Sequence, residues 1–125
     1  MEKYIDGFVF VVPKKKVPEY KKMAQLGAKI WKKFGALDYK ECMGDDLAPK
    51  MKGGMKHLLF PKMAKAKPDE TVWFSYIVYK SKKHRDQVNA KVMKEMEKEM
   101  KEYKDKPMPF DMKRFAYGGF EVVVS

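Results

Sequence analysis

Two stretches of this chain are apolar on both sides of the strand alternation. Residues 4–12 read Tyr-Ile-Asp-Gly-Phe-Val-Phe-Val-Val, and residues 71–79 read Thr-Val-Trp-Phe-Ser-Tyr-Ile-Val-Tyr. Both are rich in the β-branched and aromatic residues that favour strands. In the first, alternation sets Tyr4, Phe8 and Phe10 against Ile5, Val9 and Val11. In the second, Trp73, Ile77 and Tyr79 oppose Val72, Phe74, Tyr76 and Val78. Strands of this kind belong in the middle of a sheet that is covered on both faces.

The rest of the chain supplies cover for one face. Pro13 closes the first strand and Pro18 suits the first turn of a helix. Apolar residues then recur at helical spacing at Tyr20, Met23, Ala24, Gly27, Ile30, Trp31 and Phe34, and Gly35 ends the run. Lys21, Lys22, Lys29, Lys32 and Lys33 take the opposite face. Leu37 to Met43 alternates as a partly exposed edge strand would. Residues 44–70 hold Gly53-Gly54 and three prolines and show no strand pattern, so this long connection is functional or carries short structure of its own. Ser81 caps a second helix with the stripe Val88, Val92, Met96, Met100 and Tyr103, closed by Pro107 and Pro109. A last strand runs over residues 115–124. Residues 8–18 align weakly with residues 76–86, each an apolar strand leading through a Lys pair into a helix. Two split halves of this form predict an α+β fold: a ferredoxin-like βαββαβ sandwich with an antiparallel sheet and both helices on one face. A chain of 125 residues has material for one such domain, spanning residues 1–125.

Two helices leave the second sheet face bare. Covering about 500 Å² of it at roughly 25 cal/mol per Å² is worth on the order of 10 kcal/mol per subunit before association entropy. The pattern therefore predicts a second sheet packed there, supplied by an identical subunit. An RNA-recognition module has the same topology and exposes sheet aromatics to stack bases, but its third strand carries a basic residue and a small Gly or Ala pair. Residues 71–79 contain no Gly and no basic residue, which favours the homodimer.

The chain carries 28 Lys and Arg against 17 Asp and Glu, a net charge of +11. All of that excess falls within residues 14–33 and 80–106, which are mostly helix, so it lies on solvated helix faces and not on the sheet. Arg85 and Arg114 are the only arginines, whereas bidentate reading of phosphates and guanine edges favours Arg. Nucleic acid is accordingly not the expected partner. No apolar run exceeds about five residues against the roughly 20 of a membrane span, and the first residues lack the pattern of a signal peptide. Cys42 is the single cysteine. These features lead to the expectation of a cytoplasmic protein.

Several blocks resemble a known group. Asp6-Gly7-Phe8-Val9, residues 35–42 (Gly-Ala-Leu-Asp-Tyr-Lys-Glu-Cys), residues 74–81 (Phe-Ser-Tyr-Ile-Val-Tyr-Lys-Ser), residues 84–93 (His-Arg-Asp-Gln-Val-Asn-Ala-Lys-Val-Met), Met108-Pro109-Phe110-Asp111 and residues 117–121 (Tyr-Gly-Gly-Phe-Glu) are similar to the YbaA-like bacterial and archaeal proteins of domain of unknown function 1428. The likeness spans nearly the whole chain and is most specific at residues 84–93. It implies a dimeric α+β barrel, in which two ferredoxin-like subunits pack sheet to sheet. Its superfamily holds cofactor-independent monooxygenases, isomerases, haem-degrading enzymes and ligand-binding regulators, which implies a small, partly apolar ligand. Residues 51–57 depart from the family pattern with extra Met, Lys and Gly residues.

Candidate site residues follow from side-chain chemistry. His84, in the first turn of the second helix, suits a general base because the dipole there favours neutral imidazole, and Asp86 would orient it. The alternative for His84 is a capping role. Trp73, Tyr76 and Tyr117 are aromatics able to line a pocket, with Asn89 one turn beyond Asp86. Asp111 and Arg114 flank the last strand and either pair with each other or hold a polar ligand. Cys42 reads as an inert thiol. Asp45-Asp46 and His57 lack the spacing of a metal site, so no metal is expected. No phosphate-cradling glycine motif or Gly-x-Ser-x-Gly elbow is present, and no cofactor is implied.

Overall fold

A computed structural model describes residues 3–99, 101 and 107–125. Four strands form one antiparallel sheet in the order β2-β3-β1-β4, with β1 at Tyr4–Pro13, β2 at Asp38–Met43, β3 at Glu70–Tyr79 and β4 at Ala116–Glu121. The two strands that are apolar on both sides occupy the centre. Their register sets Phe10 opposite Trp73 and Tyr4 opposite Tyr79. The architecture is α+β and ferredoxin-like.

Helices α1 (Val17–Lys33) and α3 (Lys82–Glu99) lie on one face of the sheet. From α1, Tyr20 and Ala24 pack with Phe10, Val12 and Trp73. Ile30 of α1 meets Val88 and Val92 of α3 over Ile77 and Tyr79. The five lysines on the far side of α1 are exposed. Pro18 sits in the first turn of α1, and Gly35, with φ +111°, turns the chain from α1 into β2, a conformation that L side chains resist. Ser81 accepts a hydrogen bond from the His84 backbone N–H at 3.1 Å and starts α3. Met100 and Tyr103 of the expected stripe lie outside the described residues.

β4 ends at Glu121, three residues short of the expected Val124. Its ladder runs from Val9 opposite Ala116 to Tyr4 opposite Glu121, and the Val122 N–H reaches the Lys3 carbonyl as its last bond. Among the described residues no pairing continues past that bond, and Val123 and Val124 are exposed despite their strand propensity.

The second face of the sheet is partly covered by the chain itself. The long connection contains a one-turn helix, α2 (Phe60–Met63), and its Leu47, Ala64 and Ala66 pack on Val9, Val11 and Val72. Toward the other end no such cover exists among the described residues: Phe74 is 49% exposed and Phe120 is 62% exposed. No described helix is long and apolar enough to cross a membrane.

Candidate functional site

Alternation in edge strand β2 turns Tyr39, Glu41 and Met43 toward the helices, opposite Ile77, Ser75 and Trp73 of β3. Glu41 thereby reaches a cleft of about 180 Å³ between the sheet and α1, lined by Phe8, Phe10, Tyr20, Met23, Trp31, Phe110 and Phe115 among others. The lining is largely aromatic, with Met23 and Met96 as flexible fill. Gly27 of α1 makes room for Tyr39, because a Cβ at position 27 would stand 2.9 Å from the tyrosine hydroxyl.

Three hydroxyls converge on the Glu41 carboxylate. Tyr20 donates to Oε1 at 2.8 Å and Ser75 donates to the same oxygen, while Tyr39 donates to Oε2 at 2.6 Å. Burial, reinforced by the Glu41 charge, pushes both tyrosine hydroxyls above their ordinary range, so they remain protonated donors at neutral pH. Among the described residues no salt bridge reaches Glu41. Lys40 borders the cleft, but its ammonium bonds Asp38 at 2.6 Å. A shallower vestibule past Lys21, Gln25 and Ala28 shares Ala24, Tyr39, Lys40 and Glu41 with the cleft and leads to the surface between α1 and β2.

A second polar group lies further along the same sheet face. Asp6, 1% exposed near the start of β1, accepts a hydrogen bond from Arg85 of α3 at 2.8 Å. The same guanidinium bonds the Tyr117 hydroxyl at 2.9 Å and lies 5.0 Å from the centre of the Tyr4 ring. Beside it the Asn89 Oδ1 accepts from the Trp31 indole at 3.0 Å and from the Tyr79 hydroxyl at 3.2 Å. Asn89 thus holds Trp31, one wall of the cleft, in position.

The residues singled out by sequence are scattered relative to this cleft. Tyr76 borders the cleft, but alternation turns its side chain to the outer face, where its ring lies 6.0 Å from that of Phe74. Trp73 is buried in the core, its indole donating to Thr71 at 2.9 Å. His84 does not line the cleft: its Nδ1 accepts the Lys80 N–H at 3.0 Å at the entrance to α3, and Asp86 is exposed and paired with Arg85. Burial, reinforced by the charges of Lys80 and Lys91, holds the His84 imidazole below its usual pKa. Tyr117 stacks on Phe8 and touches Arg85. Arg114 pairs with Asp111 at 2.9 Å and also grips both oxygens of Glu70 at 2.6 and 2.8 Å, tying the start of β4 to β3. Cys42 is exposed on the outer side of β2.

Motif reading passes over Glu41, Tyr20, Tyr39 and Ser75. Their signal is subtler: one carboxylate on the otherwise apolar side of β2, and one small hydroxyl within the apolar run of β3. Only pairing between the two strands brings them together. Among the described residues no group of three or more His, Cys, Asp or Glu side chains is placed to hold a metal ion.

Comparison with known proteins agrees with the family blocks in the sequence. The chain is 43% identical over 122 residues to the uncharacterized protein YbaA of Escherichia coli K12, covering 98% of this chain and 97% of the relative. The YbaA of Shigella flexneri matches to the same extent. Among solved structures, a dimeric ferredoxin-like protein from an uncultured marine organism superposes with a TM-score of 0.51 at 11% identity, covering 100% of this chain and 99% of that one. The family described as "Protein of unknown function (DUF1428)" matches residues 3–112, and the chain belongs to it.

Proposed function

We propose that the protein is a cytoplasmic homodimer that binds a small, partly apolar molecule in the cleft beside Glu41 of each subunit. The observation that carries this reading is an aromatic cleft of about 180 Å³ holding one carboxylate that three hydroxyls orient and that, among the described residues, no salt bridge neutralises. Apolar cavities of roughly 150 Å³ accept a benzene-sized guest, which sets the scale at a single ring or a short branched chain. The Lys40 ion pair with Asp38 and the vestibule along β2 leave Glu41 accessible from the surface. Chemistry of the cofactor-independent oxygenase or isomerase kind would begin with proton removal, and Glu41 is the carboxylate within reach of the cleft.

The homodimer is supported by the exposed Phe74 and Phe120 on the uncovered part of the sheet. The dimeric state of the solved ferredoxin-like neighbour supports the same reading. Thermal unfolding in the presence of single-ring compounds tests the binding. Saturable stabilisation is expected for at least one compound, and Met23→Trp, which fills the cleft, should abolish it. The absence of any saturable ligand, or stabilisation that survives the filled cleft, would overturn the reading. Salt-dependent RNA or DNA binding tighter than micromolar would point instead to the Lys-rich helix faces.

A further inference from the structure

Resting on that ligand-binding reading, we propose that the cleft selects a small monocation, a primary ammonium carried on a one-ring apolar body. An ionised carboxylate has about four lone-pair sites. Tyr20 and Ser75 occupy both sites of Oε1, and Tyr39 occupies one of Oε2. Among the described residues one acceptor position is left, on Oε2, open to a donor from a ligand.

Charge then separates the possible donors. The three groups on Glu41 are neutral hydroxyls, and the nearest lysine in sequence, Lys40, is engaged with Asp38. A ligand that fills the cleft shields the carboxylate from solvent. A neutral alcohol would leave a desolvated negative charge behind, which is costly, whereas an ammonium cancels it. A carboxylic acid in its ionised form would meet like charge. An ammonium has three N–H donors, and beyond the open site on Oε2 the Tyr20 and Tyr39 oxygens keep acceptor lone pairs of their own. The surrounding rings add attraction for a cation. Trp31, Tyr39 and Tyr20 line the same cleft as the carboxylate, the Trp31 and Tyr39 centroids 5.9 Å apart, so a cation seated over one of these rings gains from it.

Four probes of one shape decide the question: benzylamine, benzyl alcohol, toluene and benzoate, titrated calorimetrically at pH 7.5 into the full chain. Benzylamine is expected to bind about tenfold tighter than benzyl alcohol, the difference between a charge-assisted and a neutral hydrogen bond. Benzoate should bind weakest. Glu41→Gln should bring amine and alcohol together. The comparison of probes on the unmodified protein stands even if that variant folds poorly. Alcohol binding as tight as the amine, or an amine preference that persists in a folded Glu41→Gln protein, would overturn the inference. If toluene or benzyl alcohol binds preferentially and Met23→Trp blocks it, the cleft remains a ligand site and only the charge selection fails. If no probe saturates, both readings fall.

Discussion

Asp6 is a carboxylate embedded among apolar neighbours in a central strand, and it is tolerated there because Arg85 arrives from α3 to meet it. The pair is nearly dry, with side-chain exposures of 14% for Arg85 and 2% for Asp6. In such surroundings removing one partner costs more than the pair contributes, since the remaining charge is left without compensation. Arg85→Ala should lower stability by about 3–5 kcal/mol, measurable by urea unfolding. Replacing both residues with apolar ones of similar volume should cost much less. Equal losses in the single and double variants would show that the contact of Arg85 with the Tyr4 ring, not its pairing with Asp6, governs the site. Asp6 is visible in the sequence as an interruption of an apolar run. Its partner, 79 residues away, is not.

Elements meet at two junctions that lie close together. Gly35 turns α1 into β2, and a Cβ there would stand 3.3 Å from Nε2 of His84, which itself ties the end of β3 to the start of α3 through the Lys80 N–H. His84 thus belongs to the packing between the helix-to-strand and strand-to-helix turns. Its depressed pKa gives a pH dependence with a definite sign. The unfolded chain takes up the proton near the ordinary value of about 6.5, the native state only at lower pH, and the native Nδ1 must give up its bond to Lys80 when it does. Stability should therefore be complete above about pH 6.5 and decline as the pH falls below it. His84→Gln should flatten that decline in thermal unfolding between pH 7.5 and 5, and an unchanged slope would remove His84 as its source. The elements were legible because each obeys a period: two in the strands, 3.6 in α1 and α3. The end of β4 was not, because strand length there depends on where its neighbour stops pairing.

The whole molecule has one sheet face packed against helices and another covered in part by its own long connection. Leu47, Ala64 and Ala66 close the end at Val11 and Val72, leaving Phe74, Tyr76, Val78 and Phe120 toward the other. At roughly 25 cal/mol per Å², even a few hundred Å² of such surface provides several kcal/mol toward association with a second copy. Phe74→Lys combined with Phe120→Lys should yield folded monomers in sedimentation velocity, since both side chains are already exposed within the subunit. Monomers of the unmodified chain at high concentration would dismiss the dimer. The lysines of α1 and α3 stand across the sheet from this surface, where they do not oppose such packing.

Composition and period alone determined the order of elements, the central place of β1 and β3, and the split of each strand into two apolar sides, because these depend on residues adjacent in sequence. The cleft and its chemistry came from the fold. Glu41, Tyr20, Tyr39 and Ser75 are drawn from three elements, and nothing in local sequence records that strand register sets Glu41 opposite Ser75 or that α1 lowers Tyr20 onto the same oxygen. The same holds for the partial roof over the outer face. Leu47 and Ala64 have no period to betray them, and their burial follows only from where the long connection lands.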